Sequence, residues 1–186
     1  MKQSAPILDA APDRKPPEQE NIRRVCFVCT GNTCRSPMAE AVANELAETE
    51  RAALAGALPE AMRGCVVRRM TACSAGLYPV VGEAISPHAV EALERAGVRP
   101  LPPRDYHAHR AVELTEETVA QCDLLIGMTD SHVLELMMRY PQAAQRITSM
   151  PVEITDPFGG DLARYERCLA EITEGIKMLF WGVADQ

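Results

Sequence analysis

Val25-Cys-Phe-Val-Cys-Thr-Gly-Asn-Thr-Cys-Arg-Ser-Pro-Met-Ala-Glu40 is the stretch on which the fold turns. Val25 to Val28 is a short apolar run bounded by a polar turn, the pattern of a buried strand. Gly31 and Asn32 form the turn, and Pro37 opens a helical pattern where its missing N–H costs nothing. A strand, a loop and a helix start in succession aim backbone N–H groups at one point, and the helix dipole adds positive potential there. That point is an anion site. Cys29 stands at its entrance and Arg35 six positions later at its exit. A thiol among N–H dipoles and beside a guanidinium is favoured as its anion, which makes Cys29 a nucleophile placed under a bound oxyanion such as phosphate.

Composition narrows the rest. At 186 residues and 47% hydrophobic content, the chain suits one domain with a sizeable core. A formal net charge of −7 leaves no basic footprint for nucleic acid and no polybasic membrane patch. No apolar run approaches a membrane span, and Met1 to Glu20 lacks the apolar centre of a signal peptide. A cytoplasmic location follows as the expectation. Seven cysteines, an odd number, do not read as a disulfide framework. Cys26, Cys65, Cys73, Cys122 and Cys168 are expected to be small buried hydrophobes. No clustered Cys and His set suggests a metal.

Residues 1–20 hold four prolines and many charges and are expected to form a disordered tail ahead of a single domain over 21–186. Strands are expected at Val25–Val28, within Cys65–Cys73, at Leu124–Met128 and at Arg146–Met150. Ser74-Ala-Gly76 reads as a turn. Helices are expected from Met38 to about Ala55, with Met38, Ala41, Val42, Leu46 and Leu54 inward and Glu40 and Asn44 outward. Further helices run from the Ser86 cap to Ala96, from the Thr115 cap, from an Asp130 or Ser131 cap to Tyr140, and from Leu162 to Phe180. The Gly- and Pro-punctuated connection 56–64 has no assigned role. Strands alternating with helices imply an α/β fold: a compact, doubly wound, four-stranded parallel sheet with helices on both faces. Ligands bind such sheets at the carboxyl ends of the strands, which is where the loop after the first strand lies.

Cys29-Thr-Gly-Asn-Thr-Cys-Arg-Ser-Pro-Met-Ala-Glu40, together with Ser74-Ala-Gly76, Ser86-Pro-His-Ala-Val-Glu-Ala-Leu93, Gly127-Met-Thr129 and Asp156-Pro-Phe-Gly-Gly160, resembles the low-molecular-weight protein tyrosine phosphatase family. The likeness runs from about Val25 to the C-terminus and is strongest to the branch of protein arginine phosphatases. It implies the same sheet architecture, phosphorylated protein substrates, no cofactor, and a phosphocysteine intermediate on Cys29.

The loop Thr30, Gly31, Asn32, Thr33, Cys34, Arg35 and Ser36 would then bind phosphate. Arg35 would hold two phosphoryl oxygens in its planar fork and follow their charge into the transition state. A departing alkoxide or guanidine anion leaves poorly, so a general acid is needed. Asp156, in a loop stiffened by Pro157 and opened by Gly159-Gly160, is the candidate. Ser36 is expected to donate a hydrogen bond to the Cys29 sulfur. Asn32 tolerates a left-handed backbone and would fix the loop from within. By resemblance, Ser74 and His109 support Asn32 from behind. Also by resemblance, Thr33 in place of a bulky aliphatic residue, and Phe158 followed by glycine rather than a second aromatic residue, favour phosphoarginine. Cys34 in the same loop suggests a reversible Cys29–Cys34 disulfide that protects the nucleophile. His107 and His132 have no argued role.

Three rivals share these features. A tyrosine phosphatase would use the same loop. A thioredoxin-coupled arsenate reductase needs further cysteines after the second strand, and none occurs between Gly76 and Gln121. A non-catalytic phosphate-binding module would need neither Cys29 nor Asp156.

Overall fold

The computed structural model describes residues 23–65 and 70–182. Four parallel strands form one sheet in the order β2-β1-β3-β4, with β1 at Arg23–Cys29, β2 at Met70–Gly76, β3 at Leu124–Gly127 and β4 at Ile147–Ser149. The helices are α1 at Arg35–Gly56, α2 at Pro87–Arg95, α3 at Glu116–Gln121, α4 at Asp130–Arg139 and α5 at Leu162–Trp181. This is the expected architecture. The expected tail lies outside the described residues, as do Val66 and Val67, while the 56–64 connection contains a 3₁₀ helix at Glu60–Cys65.

Strand β1 shows why the sheet has two covered faces. Successive side chains on a strand point to opposite sides. Val25, Phe27 and Cys29 pack with Met38 and Val42 of α1 and with Leu169 and Ile172 of α5. Cys26 and Val28 pack on the other side with Val119 of α3 and Leu136 of α4. Cys26 and Cys29, three positions apart on the strand, therefore belong to different cores.

Several boundaries differ from the sequence expectation. Ser74-Ala-Gly76 is the last part of β2, since these residues pair in register with Phe27, Val28 and Cys29. Ladder hydrogen bonds outweigh the turn propensity of small residues. Helix α1 begins at Arg35, so Pro37 occupies its first turn rather than its first position. Ser86 precedes α2 without capping it, because its hydroxyl donates to Tyr165 Oη at 3.0 Å. Thr129, not Asp130 or Ser131, is the residue before α4. Helix α2 stops as expected at Gly97, where φ is +71°.

The buried face of α1 departs from the expected stripe. Leu54 is exposed, near the end where α1 runs past the sheet. Asn44 is buried instead of outward. Its amide donates to Ala72 O at 3.0 Å and accepts from Ala72 N at 3.0 Å, completing the open edge of β2 as a neighbouring strand would. Glu40 is also inward, where it accepts from Ser74 Oγ at 2.6 Å and Arg104 Nη1 at 3.0 Å. Burial pushes its carboxyl above the ordinary range, and these two donors pull it partly back.

Candidate active site

The loop between β1 and α1 closes tightly over its own side chains. Asn32 holds φ at +55°, the one non-glycine residue of the described chain in the left-handed region. This conformation is fixed by hydrogen bonds on every side. Asn32 Nδ2 donates to Ser36 Oγ and Ser74 Oγ, both at 3.0 Å. Its Oδ1 accepts from Val112 N at 2.9 Å, and its carbonyl oxygen lies 2.9 Å from His109 Nε2. Ser74 and His109 thus stand behind Asn32. Gly76 allows β2 to approach this closely, since a Cβ there would come within 2.8 Å of Thr30 O.

Cys29 sits at the floor. Its Sγ lies 2.9 Å from Ser36 Oγ and accepts from Asn32 N at 3.3 Å. The backbone N–H groups of Gly31, Thr33 and Cys34 find no acceptor among the described residues. They are donors available to an anion above the sulfur. Arg35, whose side chain is 8% exposed, reaches across the same space, and its Nη2 donates to Asp156 Oδ2 at 2.7 Å. Asp156 is 52% exposed on its side chain, and its Oδ1 accepts from Phe158 N at 3.2 Å, a local turn that aims the carboxylate inward.

Cys29, Thr30, Gly31, Thr33, Cys34, Arg35, Asp156 and Phe158 line one cavity of about 270 Å³. Asn32 and Ser36 lie beneath it. Tyr78, Val80 and Glu83 complete the rim. Tyr78 is fastened from α4: its hydroxyl donates to Glu135, and the Arg139 guanidinium lies 4.4 Å from its ring centre. Cys34 turns to the side, with its Sγ 3.6 Å from Thr33 Oγ1 and 3.3 Å from Tyr165 Oη. Burial raises the Cys34 thiol above its ordinary range.

Sequence reasoning passed over His132. Its ring is buried between two threonines, with Nε2 3.0 Å from Thr30 Oγ1 and Nδ1 2.6 Å from Thr129 Oγ1. Burial, and then the charge of Arg35, push its pKa below the ordinary value. A histidine one turn into the helix after β3, at the carboxyl end of the sheet, was the available signal. Glu40 was missed for a related reason: it reaches Ser74 over 34 positions of sequence.

Chemically, the arrangement joins a thiol, several amide donors, a guanidinium and a carboxylate within a single pocket. Those are the parts needed to transfer a phosphoryl group to sulfur and then to water. Among the described residues no group of three or more His, Cys, Asp or Glu side chains is arranged to hold a metal ion, and no helix is long and apolar enough to cross a membrane.

Known proteins resemble this chain in sequence and fold. The family model described as low molecular weight phosphotyrosine protein phosphatase matches residues 24–186. A protein-arginine-phosphatase of Bacillus subtilis is 30% identical over 162 residues, covering 83% of this chain and 93% of that relative. The solved arginine phosphatase of Geobacillus stearothermophilus superposes with a TM-score of 0.65 at 29% identity, covering 84% of this chain and 90% of the other. A low molecular weight protein tyrosine phosphatase from T. tengcongensis superposes with a TM-score of 0.69 at 33% identity, covering 87% and 99%.

Proposed function

This chain belongs to the low molecular weight phosphotyrosine protein phosphatase family of cysteine-based enzymes, and we propose that within it the protein removes phosphate from phosphoarginine in proteins. The observation that carries the reading is the convergence of Cys29, Arg35, Asp156 and Thr33 on one cavity.

The geometry suggests the following course. Cys29 Sγ, as the thiolate, attacks phosphorus in line with the P–N bond. The phosphoryl oxygens accept from the loop amides and the Arg35 fork, displacing the Asp156 carboxylate from Arg35 Nη2. Freed from that ion pair, the Asp156 carboxylate takes up a proton from solvent and delivers it to the departing guanidine nitrogen as the P–N bond breaks, returning to the carboxylate. In the second step the same carboxylate takes a proton from water, whose oxygen attacks phosphorus and releases Cys29 as thiolate. Ser36 Oγ, 2.9 Å from the sulfur, stabilises that leaving anion.

Thr33 supports the substrate choice. It lines the pocket with a hydroxyl-bearing side chain where an aliphatic one would make a dry wall, and a guanidino group needs hydrogen-bond acceptors. The reading for phosphotyrosine rests on Tyr78 and Phe158, which line the mouth but stand 62% and 74% exposed. So exposed, they offer an aromatic substrate one flank rather than a slot. Phosphorylated proteins are the partners, and a cytoplasmic location fits the free thiols of the described cysteines. Cys29 and Cys34 line the same pocket, and their reversible disulfide under oxidation is part of this reading.

Initial rates on matched phosphoarginine and phosphotyrosine peptides test it. Wild type is expected to favour phosphoarginine, and Thr33→Ile to shift the ratio toward phosphotyrosine. A wild type that prefers phosphotyrosine contradicts the substrate assignment.

A further inference from the structure

Three cysteines lie together away from the active site. Cys26 on β1 and Cys73 on β2 are partners in the parallel register, so their side chains leave the sheet on the same face. Cys122, between α3 and β3, covers them from the helix layer. Cys73 Sγ and Cys122 Sγ are 3.9 Å apart, and Cys26, whose own thiol points to Phe27 O at 3.9 Å, packs in the same cluster. Cys26 is fully buried, Cys122 nearly so, and Cys73 only half. The Arg146 guanidinium donates to the carbonyl oxygens of Val119 and Cys122, which brings a fixed positive charge to the cluster. The Cys73 thiol and that charge favour the Cys122 anion, against burial and the neighbouring Asp123 carboxylate.

We propose that Cys73 and Cys122 are a second oxidation site, forming a disulfide with hydrogen peroxide independently of Cys29 and Cys34. One thiolate takes an oxygen from peroxide, giving a sulfenic acid and hydroxide, which takes up a proton to become water. The other thiol then displaces the hydroxyl group from sulfur, closing the S–S bond and releasing a second water. Two thiols are oxidised and one peroxide is reduced. Bond formation needs an approach from 3.9 Å to about 2 Å, within reach of side-chain rotation at the half-buried Cys73. Cys26 keeps its place as a buried neighbour.

The cross-link would tie the edge strand β2 to the junction before β3, closing a loop between positions 49 apart. Its expected effect is on stability, since it constrains the unfolded chain. Trypsin separates the relevant thiols. Cys26, Cys29 and Cys34 share the fragment 25–35, Cys73 lies alone in 70–95, and Cys122 lies alone in 111–139.

The test is peroxide treatment of the full chain carrying Cys29→Ser, followed by non-reducing peptide mapping and thermal melting. A linked pair of fragments 70–95 and 111–139 is expected, reversed by dithiothreitol. Its formation should raise Tm by about 5 °C. The rise should be absent in Cys29→Ser with Cys73→Ser, a half-buried position where serine fits. Recovery of Cys73 and Cys122 as free thiols, or a link from fragment 25–35 to either, overturns the proposal.

Discussion

Cys26 and Cys29 sit on the same strand, yet β1 sends one thiol into a nest of sulfur atoms and the other into a nest of oxygen and nitrogen donors. Around Cys29 the neighbours are Ser36 Oγ and an amide N–H, with the Arg35 fork facing the same cavity. Around Cys26 they are Cys73 and Cys122. The difference teaches that sulfur's role here is set by which face of the strand it occupies. The same residue type faces an anion-binding loop on one side of the strand and packs among other thiols on the other, and the proposed roles of nucleophile and redox group follow that division.

The contrast breaks most visibly at the sulfur itself. Cys29→Ser is expected to lower kcat/KM by roughly 10⁴-fold or more, whereas Cys26→Ala leaves it within about twofold. Steady-state rates on a phosphoarginine peptide decide this. Comparable losses in both variants would erase the distinction. Next in size is the acid. Asp156→Asn should reduce kcat by roughly 10²- to 10⁴-fold, with a smaller deficit on substrates whose leaving group needs no proton. Arg35→Lys keeps the charge but loses the fork that meets Asp156 at 2.7 Å, and should cost roughly 10²- to 10³-fold in kcat/KM.

Smaller effects sharpen the comparison by showing what holds the sheet that carries both thiols. Asn44→Ala strands the buried N–H and C=O of Ala72 at the β2 edge, and should cost about 2–4 kcal/mol in urea unfolding. The smallest effect belongs to His132. Its pKa is depressed in the folded state, chiefly by burial. Its contribution to stability is therefore complete above the ordinary value of 6.5 and declines as pH falls below it, where the unfolded chain binds a proton that the folded chain refuses. Urea midpoints between pH 8 and 5 should fall more steeply for wild type than for His132→Gln.

The grouping of the Cys29 thiol, the Arg35 guanidinium and the loop amides was legible because eight consecutive residues carry them, and strand–loop–helix geometry follows from local pattern alone. The four-stranded parallel sheet was legible from alternation. Asp156 was weaker from residues alone, because Asp-Pro marks many turns and the carboxylate meets Arg35 only across 121 positions. Asn44 and Glu40 were placed on the wrong face of α1. A helical stripe assigns polar residues to solvent, while these two satisfy backbone and hydroxyl groups of β2 that the stripe does not reveal. Ser74-Ala-Gly76 looked like a turn because small residues favour turns. In the fold their smallness instead lets β2 lie against the phosphate loop, with Gly76 leaving no room for a Cβ beside Thr30. The thiol cluster was invisible for the same reason, since its members are brought together only by strand register and the α3–β3 junction.

Acid-quenched turnover, by Asp156→Asn, of an aryl phosphate whose leaving group needs no proton, with the phosphoryl group located by peptide fragmentation, tests the central claim most directly. Slowing of the second step by that substitution should let the phosphoryl adduct accumulate on Cys29, with Cys26 and Cys34 of the same fragment unmodified. Continued release of phosphate with the adduct on a different residue would contradict it.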